Sequence, residues 1–417
     1  MKTRYLLSPF LAAILLSGTA QAELLFRTPG LLSTEIARPL LERDPSVSAA
    51  RAGLDRANAE ARGLEVSPYE WTVQGYGQQR DVENDRQYGE WSAGIERTIR
   101  LPAKAAADRA IGKTGIEAAE AAYGEAVHEA ARDLAALWVD WLAAERAREL
   151  AAVSLRSFEE SLGAVEKRAR AGDAARLDLG TARAELVEQR RQENDAKTAA
   201  TVAWTRLSGR FPGIGQQAIP MPMPLPIDAD TSAWRERILS QSDELKVAEF
   251  RAQSADSLAA RARADRIPDP TIGAYTTSET NGQQKIIGVS VSMPIPLPGG
   301  IRSQRSRSAA ASAEVAHYEA EARKRAFASG IASEFAAAQG AFQSMQIAAE
   351  GTMAMQENAG FIQRAYTLGE AGLLDLLLAR RQAATAANNA VLAQATALKA
   401  YYGLVIDAHW VWGLEHE

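Results

Sequence analysis

The amino-acid sequence predicts a mainly α-helical chain with long antiparallel helices and four short β-strands, and two observations lead to this prediction. The same order of motifs occurs twice, about 200 residues apart, as expected for two copies of one structural unit. In each copy, two segments of alternating apolar and polar residues precede a long stretch rich in alanine, glutamate, arginine and leucine. Each copy therefore predicts one helix, two strands, a very long helix, a glycine turn and a returning helix.

The long helices are indicated by the spacing of apolar residues. No proline interrupts the stretch from Pro102 to about Ala169, and a continuous helix there would be about 100 Å long. Apolar side chains recur mostly every three or four residues, as in a coiled-coil seam. The seam comprises Ile116, Tyr123, Val127, Ala130, Leu134, Leu137 and Trp141 in the first copy, and Phe327, Ile331, Phe335, Ala338, Phe342 and Met345 in the second. Since one antiparallel pair encloses little interior, we expect these helices to pack against further helices.

The strands are indicated by alternation with a period of two residues. The alternating apolar residues are Trp71, Val73, Trp91, Ala93, Ile95, Ile287, Val289, Val291 and Met293. We expect strands at about residues 69–78, 88–99, 270–278 and 285–294. The pair Asn281-Gly282 between the last two segments is a strong hairpin-turn signal.

Strands of this length with one apolar and one polar face are typical of bilayer-spanning barrels. Four strands cannot enclose a water-filled lumen, and an open sheet edge in lipid leaves backbone groups without hydrogen bonds. If the strands span a membrane, several chains must therefore combine them: three chains would give twelve strands and two would give eight. Trp71 and Trp91 fit an aromatic girdle at the membrane interface.

The N-terminal 22 residues predict a signal peptide. Lys2 and Arg4 precede an apolar run, and Ala20-Gln21-Ala22 forms a small-x-small cleavage site. Removing the two basic residues changes the net charge from −5 to −7, which argues against nucleic-acid binding. The chain has no cysteine, so disulfides and lipid attachment at an N-terminal cysteine are excluded. Beyond the signal peptide, no apolar run is long enough to predict a transmembrane helix.

The internal repeat predicts the domain organisation. The first copy occupies residues 23–208 and the second occupies residues 233–404. Between them, residues 209–232 form a proline-rich connector, and residues 405–417 form a C-terminal tail.

Two glycine motifs and two strand exits give the chain a family resemblance. Gly172 precedes Leu177-Asp178-Leu179 and Gly369 precedes Leu374-Asp375-Leu376, with the same glycine-to-aspartate spacing. The proline-containing strand exits are Ile99 to Pro102 and Pro294 to Gly300. In these features the chain resembles the TolC-like outer-membrane efflux proteins, and among them the CzcC-like heavy-metal branch.

The resemblance implies the assembly and its partners. A homotrimer would share one twelve-stranded barrel in the lipid of the outer membrane, and its coiled-coil helices would form an α-barrel tunnel in the periplasm. A periplasmic adaptor (membrane fusion protein) would connect this tunnel to an inner-membrane pump of the RND type. The alternatives are a channel for a drug pump or for type I protein secretion, and a soluble periplasmic coiled-coil adaptor.

The resemblance also implies a gate at the helix tips. Tyr366 would donate a hydrogen bond to Asp178 and hold the tunnel closed, and Asp375 would supply three carboxylates to a constriction that attracts divalent cations. Relatives carry an arginine where this chain has Ala371, so one closing link fewer is expected. They also carry a second ring aspartate where this chain has Leu378, so Asp375 alone would supply the carboxylates of the constriction. From spacing alone, helix capping remains an alternative for both aspartates.

The same tips are the expected docking site of the adaptor, through Arg168, Gly172, Arg364, Leu368 and Gly369. A glycine lets the chain reverse tightly and leaves room for a partner's backbone. The alternative is that each glycine only ends its helix.

Other residue types argue against an enzyme. The sequence shows no paired carboxylate, catalytic triad or phosphate-binding loop, so we expect neither catalytic residues nor a cofactor. The histidines are scattered at His128, His317, His409 and His416, and without cysteine a metal site is not expected. Basic residues that follow the strands, including Arg100 and Lys104, predict solvated or lipid-headgroup anchors, with a basic collar as the alternative.

Overall fold

The computed structural model describes residues 28–217, 219–228, 230–296 and 300–414. The predicted signal peptide, His416 and part of the second strand exit lie outside these residues. The described helices are α1 (Thr34–Glu42), α2 (Pro45–Glu65), α3 (Pro102–Ala171), α4 (Arg176–Arg210), α5 (Ser232–Gln241), α6 (Asp243–Ala264), α7 (Ile301–Leu368) and α8 (Leu373–Asp407). None of them combines the length and apolar character that crossing a bilayer requires.

The strands form one antiparallel sheet in the order β1-β2-β3-β4. Its strands are β1 (Trp71–Arg80), β2 (Tyr88–Thr98), β3 (Thr271–Glu279) and β4 (Gln284–Ser292). The central pair joins the two copies, because β2 of the first pairs with β3 of the second from Trp91 opposite Ser278 to Thr98 opposite Thr271. The predicted fold class, mainly helical with four short strands, is confirmed.

The two faces of the sheet differ in chemistry. Directly opposed residues share a face, and the register places Val73 beside Ile95, Ala274 and Val289 on an apolar face. Val73 is 77% exposed and Val289 is 83% exposed, so the chain itself does not cover this face. The opposite face is polar, with Gln78 donating to Glu90 at 2.8 Å and Arg80 paired to Glu90 at 2.6 Å.

The predicted hairpin turn also ties the two hairpins together. Thr280–Gly282 forms one turn of 3-10 helix, with Asn281 at φ +54° and Gly282 at φ +91°. Asn281 Oδ1 accepts a hydrogen bond of 2.6 Å from the backbone N–H of Gly89, at the start of β2. Asparagine is among the few residues other than glycine that tolerate positive φ, which explains its place here.

The chain divides into two compact units. The sheet unit comprises Pro45–Val127 and Ser242–Ile331, and it contains all four strands. The tip unit comprises the described residues up to Asp44, then His128–Gln241, and the residues from Ala332 onward. Helices α3 and α7 contribute residues to both units.

Large apolar side chains fill the core of the tip unit. Trp141 of α3 and Leu398 of α8 are buried, as are Ala130, Leu134, Phe335 and Ala338 of the predicted seams. The N-terminal segment is fastened to this core, because Trp138 Nε1 donates to the Gly30 carbonyl at 2.9 Å. Apolar area removed from water stabilises a fold by about 25 cal/mol per Å², so the burial of these side chains stabilises the unit.

The prediction that Arg100 and Lys104 are solvated anchors is wrong. Lys104 is 2% exposed and its Nζ lies 2.9 Å from Asp269, while Arg100 is paired to Asp108 at 2.9 Å. Arg261 of the second copy also binds Asp108, at 2.5 Å, so the ion pairs cross between the copies. The physical reason is that each base meets a carboxylate: Arg100 pairs with Asp108, eight residues along the chain, and Lys104 pairs with Asp269 of the second copy. These ion pairs make the burial of the two bases possible.

Hydrogen bonding stabilises the ionised form of the central carboxylate in this network. Burial alone would raise the pKa of Asp269. Hydrogen bonds from the Leu101 N–H, Lys104 and Tyr69 lower this pKa by more, so the net shift is downward. Tyr69 Oη donates to this carboxylate at 2.7 Å. The Asp269 carboxylate is therefore ionised at neutral pH.

Candidate functional site

The two glycine turns of the tip unit have the same backbone hydrogen bonds. After α3, the Gly172 N–H donates to the Ala169 carbonyl and the Asp173 N–H donates to the Arg168 carbonyl. After α7, the Gly369 N–H donates to the Tyr366 carbonyl and the Glu370 N–H donates to the Ala365 carbonyl. Both patterns are Schellman motifs, which satisfy carbonyls left without partners at a helix C-terminus.

Each turn requires glycine for its conformation and not for lack of space. Gly172 has φ +82° and Gly369 has φ +79°, in the left-handed region. A Cβ added at either position would meet no atom of the chain within 4 Å. Both tips therefore have open space beside the glycine, which the docking hypothesis requires.

An apolar cluster, here called the tip cluster, holds the two tips together. Its buried members are Phe158, Val165, Ala182, Leu186, Leu373 and Leu377, and Tyr366 packs against it. These residues come from α3, α4 and α8, with Tyr366 from α7, so all four long helices meet here. The cluster gives Tyr366 a fixed position.

Arg168 is the hydrogen-bond partner of Tyr366 within the chain. Arg168 Nη1 donates to Tyr366 Oη at 2.9 Å, and its guanidinium carbon lies 5.4 Å from the centre of the tyrosine ring. Arg168 Nη2 also donates to the Asp173 carbonyl at 3.3 Å, which links the pair to the first turn. One arginine thus joins the tips of both copies through a hydrogen bond and a cation–π contact.

The predicted bond between Tyr366 and Asp178 does not form within the described chain. Asp178 lies in the first turn of α4 and is partly exposed. Asp375 lies in the first turn of α8, where its Oδ2 accepts a hydrogen bond of 3.1 Å from the Gly372 N–H. The capping alternative therefore holds for Asp375, and the Tyr366–Asp178 bond stays a prediction for the assembled channel.

The residues expected to dock an adaptor are exposed. Leu368 is 75% exposed, and Arg364 is also exposed, with its guanidinium carbon 4.9 Å from the centre of the Phe361 ring. Sequence reasoning missed two further candidates, Leu177 at 79% exposure and Leu374 at 69%. The signal was present, because these leucines occupy equivalent places in the repeated Leu-Asp motif.

The two tryptophans of the expected girdle lie on the apolar face of the sheet. Trp71 is 59% exposed and Trp91 is 53% exposed. The guanidinium carbon of Arg97 lies 5.5 Å from the centre of the Trp71 ring, so a cation accompanies this aromatic side chain. An exposed aromatic with a neighbouring cation suits a lipid headgroup region.

The structure brings together two histidines that the sequence left apart. The rings of His128 and His409 lie 5.5 Å apart, and His128 Nε2 is 3.0 Å from Asp407. Arg132 also binds Asp407, at 2.5 Å, so this carboxylate already forms an ion pair with the arginine. Over the described residues, no group of three or more His, Cys, Asp or Glu side chains could hold a metal ion.

A model of the outer membrane efflux protein family matches residues 37–209 and again residues 234–405. The chain belongs to this family. Its members are transport conduits and not enzymes, so the chain is an outer-membrane efflux channel. No curated protein matches the sequence.

Solved channel structures share the fold. CusC, described in a study of folding and transmembrane channel formation, has a TM-score of 0.75 at 16% identity, covering 93% of this chain and 95% of CusC. VceC from Vibrio cholerae has a TM-score of 0.72 at 17% identity, covering 90% and 95%. The open MtrE channel of Neisseria gonorrhoeae has a TM-score of 0.72 at 17% identity, covering 92% and 89%.

Proposed function

We propose that three copies of this chain form the outer-membrane channel of a tripartite efflux system whose substrate is heavy-metal cations. The observation that carries the assembly is a four-stranded sheet whose apolar face the chain leaves uncovered. Three such sheets supply twelve strands, enough to close a barrel around a lumen without open edges in lipid. Channels of the family are trimeric and work with an adaptor and an inner-membrane pump. We propose an RND-type pump for this one.

In this proposal the gate lies at the two glycine turns. Arg168 belongs to the first tip and Tyr366 to the second, so their hydrogen bond restrains the separation of the two helical hairpins. Asp178 would accept from Tyr366 in the trimer. With Ala371 where relatives have an arginine that closes the gate, the closed state rests on few bonds, and opening costs little.

The proposed substrate is supported by the chemistry of the second tip. Asp375 is exposed, and three copies of its carboxylate around a constriction would favour divalent cations over anions. The chain would act as a passive conduit, because selectivity among metals belongs to the pump. The substrate class also rests on the resemblance of the strand exits to the heavy-metal branch.

The proposed adaptor site comprises both tips. Arg168, Gly172, Arg364, Leu368 and Gly369 surround two turns with open space beside each glycine. The exposed Leu177 and Leu374 add an apolar contact on each tip. A helical hairpin of the adaptor could bury these leucines, which otherwise remain in water.

The substrate is tested by growth of a deletion strain. We expect hypersensitivity to one or more of zinc, cobalt, cadmium, nickel, copper and silver, with normal tolerance of dyes and antibiotics. Restoring the intact gene should restore metal tolerance. Sensitivity to dyes and antibiotics with normal metal tolerance would assign the channel to a drug pump. Normal growth in both, with loss of a secreted protein, would assign it to type I secretion.

A further inference from the structure

The tip unit contains a cavity that the gate and the docking site do not use. It has a volume of about 710 Å³ and lies among α3, α4, α7 and α8. Leu150, Val153 and Phe158 line it together with several alanines, so much of its wall is apolar. A volume of this size suits an organic molecule rather than a single ion or water.

One wall of the cavity carries an arginine without an acidic partner. Arg380 donates to the Ser157 carbonyl at 2.6 Å, to Ser161 Oγ and to Gln363 Oε1, all of which are neutral. Within the described chain no carboxylate lies at ion-pair distance from its guanidinium. Burial lowers the pKa of Arg380, which reflects the cost of holding this charge away from water. Glu160 favours the charge electrostatically without reaching ion-pair distance, so no described carboxylate contacts the guanidinium directly.

The other charged residues of the wall are compensated. Arg381 lines the same cavity but is paired to Glu185 at 3.4 Å. Asp195 also lines it and is paired to Arg191 at 2.5 Å. Among the charged residues described on this wall, Arg380 is therefore the one without a carboxylate at ion-pair distance.

A buried amide on the wall also lacks a partner. Gln189 is 2% exposed and lines the cavity. Its Oε1 is bonded to Ser154 Oγ at 3.0 Å, and over the described residues its Nε2 has no hydrogen-bond partner. Because a hydroxyl can donate or accept, exchanging the two amide atoms would leave the oxygen unbonded instead. In either orientation a polar atom is buried without a partner.

We propose that this cavity binds an amphipathic organic anion, with its acidic group at Arg380 and its apolar body against Leu150, Val153 and Phe158. A carboxylate or sulfonate would place an anion in direct contact with the guanidinium and accept its remaining N–H donors. An apolar body would cover the alanine-rich wall. This site does not depend on the identity of the exported substrate.

The test uses two fluorescent probes with the same aromatic body, 1-anilinonaphthalene-8-sulfonate and the uncharged N-phenyl-1-naphthylamine. Both are titrated against the full-length trimer in amphipol, with amphipol alone as the blank. In Arg380→Gln we expect the sulfonate to bind about tenfold to a hundredfold more weakly, as for loss of a charge-assisted hydrogen bond. The uncharged probe should bind as it does to the wild type.

Two variants complete the test. Arg381→Gln removes a charge from the same wall that is already paired, so it should leave sulfonate binding unchanged. Arg380→Lys retains the charge and should retain most of the binding, which covers the case in which Arg380→Gln fails to assemble. Equal sulfonate affinity in Arg380→Gln and wild type would overturn the proposal. So would a trimer structure in which a neighbouring protomer's carboxylate pairs with Arg380.

Discussion

The two tips of the molecule share one backbone turn and differ in their polar side chains. Gly172 and Gly369 make the same Schellman hydrogen bonds at nearly the same φ. In the first tip the polar residue that reaches across is Arg168, and in the second it is Tyr366. The two copies thus share the turn. One copy supplies the donor, Arg168, and the other supplies the acceptor, Tyr366, of a single hydrogen bond.

The two tips also differ in the hydrogen bonding of their aspartates, Asp178 and Asp375. Asp375 caps the start of α8 through the Gly372 N–H, and the structure assigns no such bond to Asp178 at the equivalent place in α4. In the same Leu-Asp motif, the Asp375 carboxylate therefore accepts a hydrogen bond from its own helix start, whereas the Asp178 carboxylate can accept one from another group. This difference supports the proposal that Asp178 is a partner for a group outside its own turn.

The largest expected effect concerns the part that the tips share. Phe158→Ala removes a large side chain from the tip cluster, and we expect it to destabilise the tip unit by about 3–5 kcal/mol. Because the cluster includes Leu373 and Leu377, amide exchange should accelerate at both tips, although Phe158 belongs to the first copy. Hydrogen-exchange mass spectrometry measures this, and Leu177→Ala, an exposed apolar control, should change little. Acceleration confined to the first tip would contradict a shared cluster.

A smaller effect is expected from the polar link that distinguishes the tips. Tyr366→Phe and Arg168→Ala each remove a hydrogen bond with a net contribution of about 0.5–1.5 kcal/mol, so closed-state conductance should rise in planar bilayers. The double variant should rise little beyond Tyr366→Phe, since the bond between the two side chains is already lost in that variant. Arg170→Ala, an exposed arginine of the same last turn, is the charge-matched control. Unchanged conductance in both single variants would rule out this link as part of the gate.

The smallest energetic effect is expected at the aspartates. Asp375→Asn can still cap its helix and should cost at most about 0.3–1 kcal/mol of helix stability through the dipole. It should nevertheless weaken block of the channel by divalent cations, which single-channel recordings measure. Asp178→Asn is the matched comparison at the first tip, and a similar loss of block there would show that both copies line the constriction. Undiminished cation block in Asp375→Asn would remove this residue from the proposal.

Much of the fold could be predicted from local patterns. The alternation around Trp71 and Val289, the Asn281-Gly282 turn and the four-and-three spacing of Leu134 and Phe335 each depend on residues close in sequence. Such patterns follow from the geometry of a strand, a turn or a helix and need no tertiary information. The positive φ at Gly172 and Gly369 follows in the same way from a glycine at the end of a long helix.

The polar partners could not be predicted in this way. Lys104 and Asp269 lie far apart in sequence, as do Arg168 and Tyr366, and a single sequence offers no signal that pairs them. The prediction that Lys104 is solvated fails for this reason, and the one for Arg100 fails because its spacing from Asp108 does not by itself indicate an ion pair. The cavity beside Arg380 was also invisible, because it exists only where four helices leave a gap.

The repeat, the long helices, the amphipathic strands and the glycine turns all follow from the sequence, since each is set by neighbouring residues and backbone stereochemistry. The tertiary fold is needed to know which charges are buried, which tip residue meets Tyr366 and where a charged cavity wall remains. Burial and pairing depend on the fold because they are properties of surfaces brought together from distant segments. Two chains with the same local patterns can satisfy their buried charges in different ways.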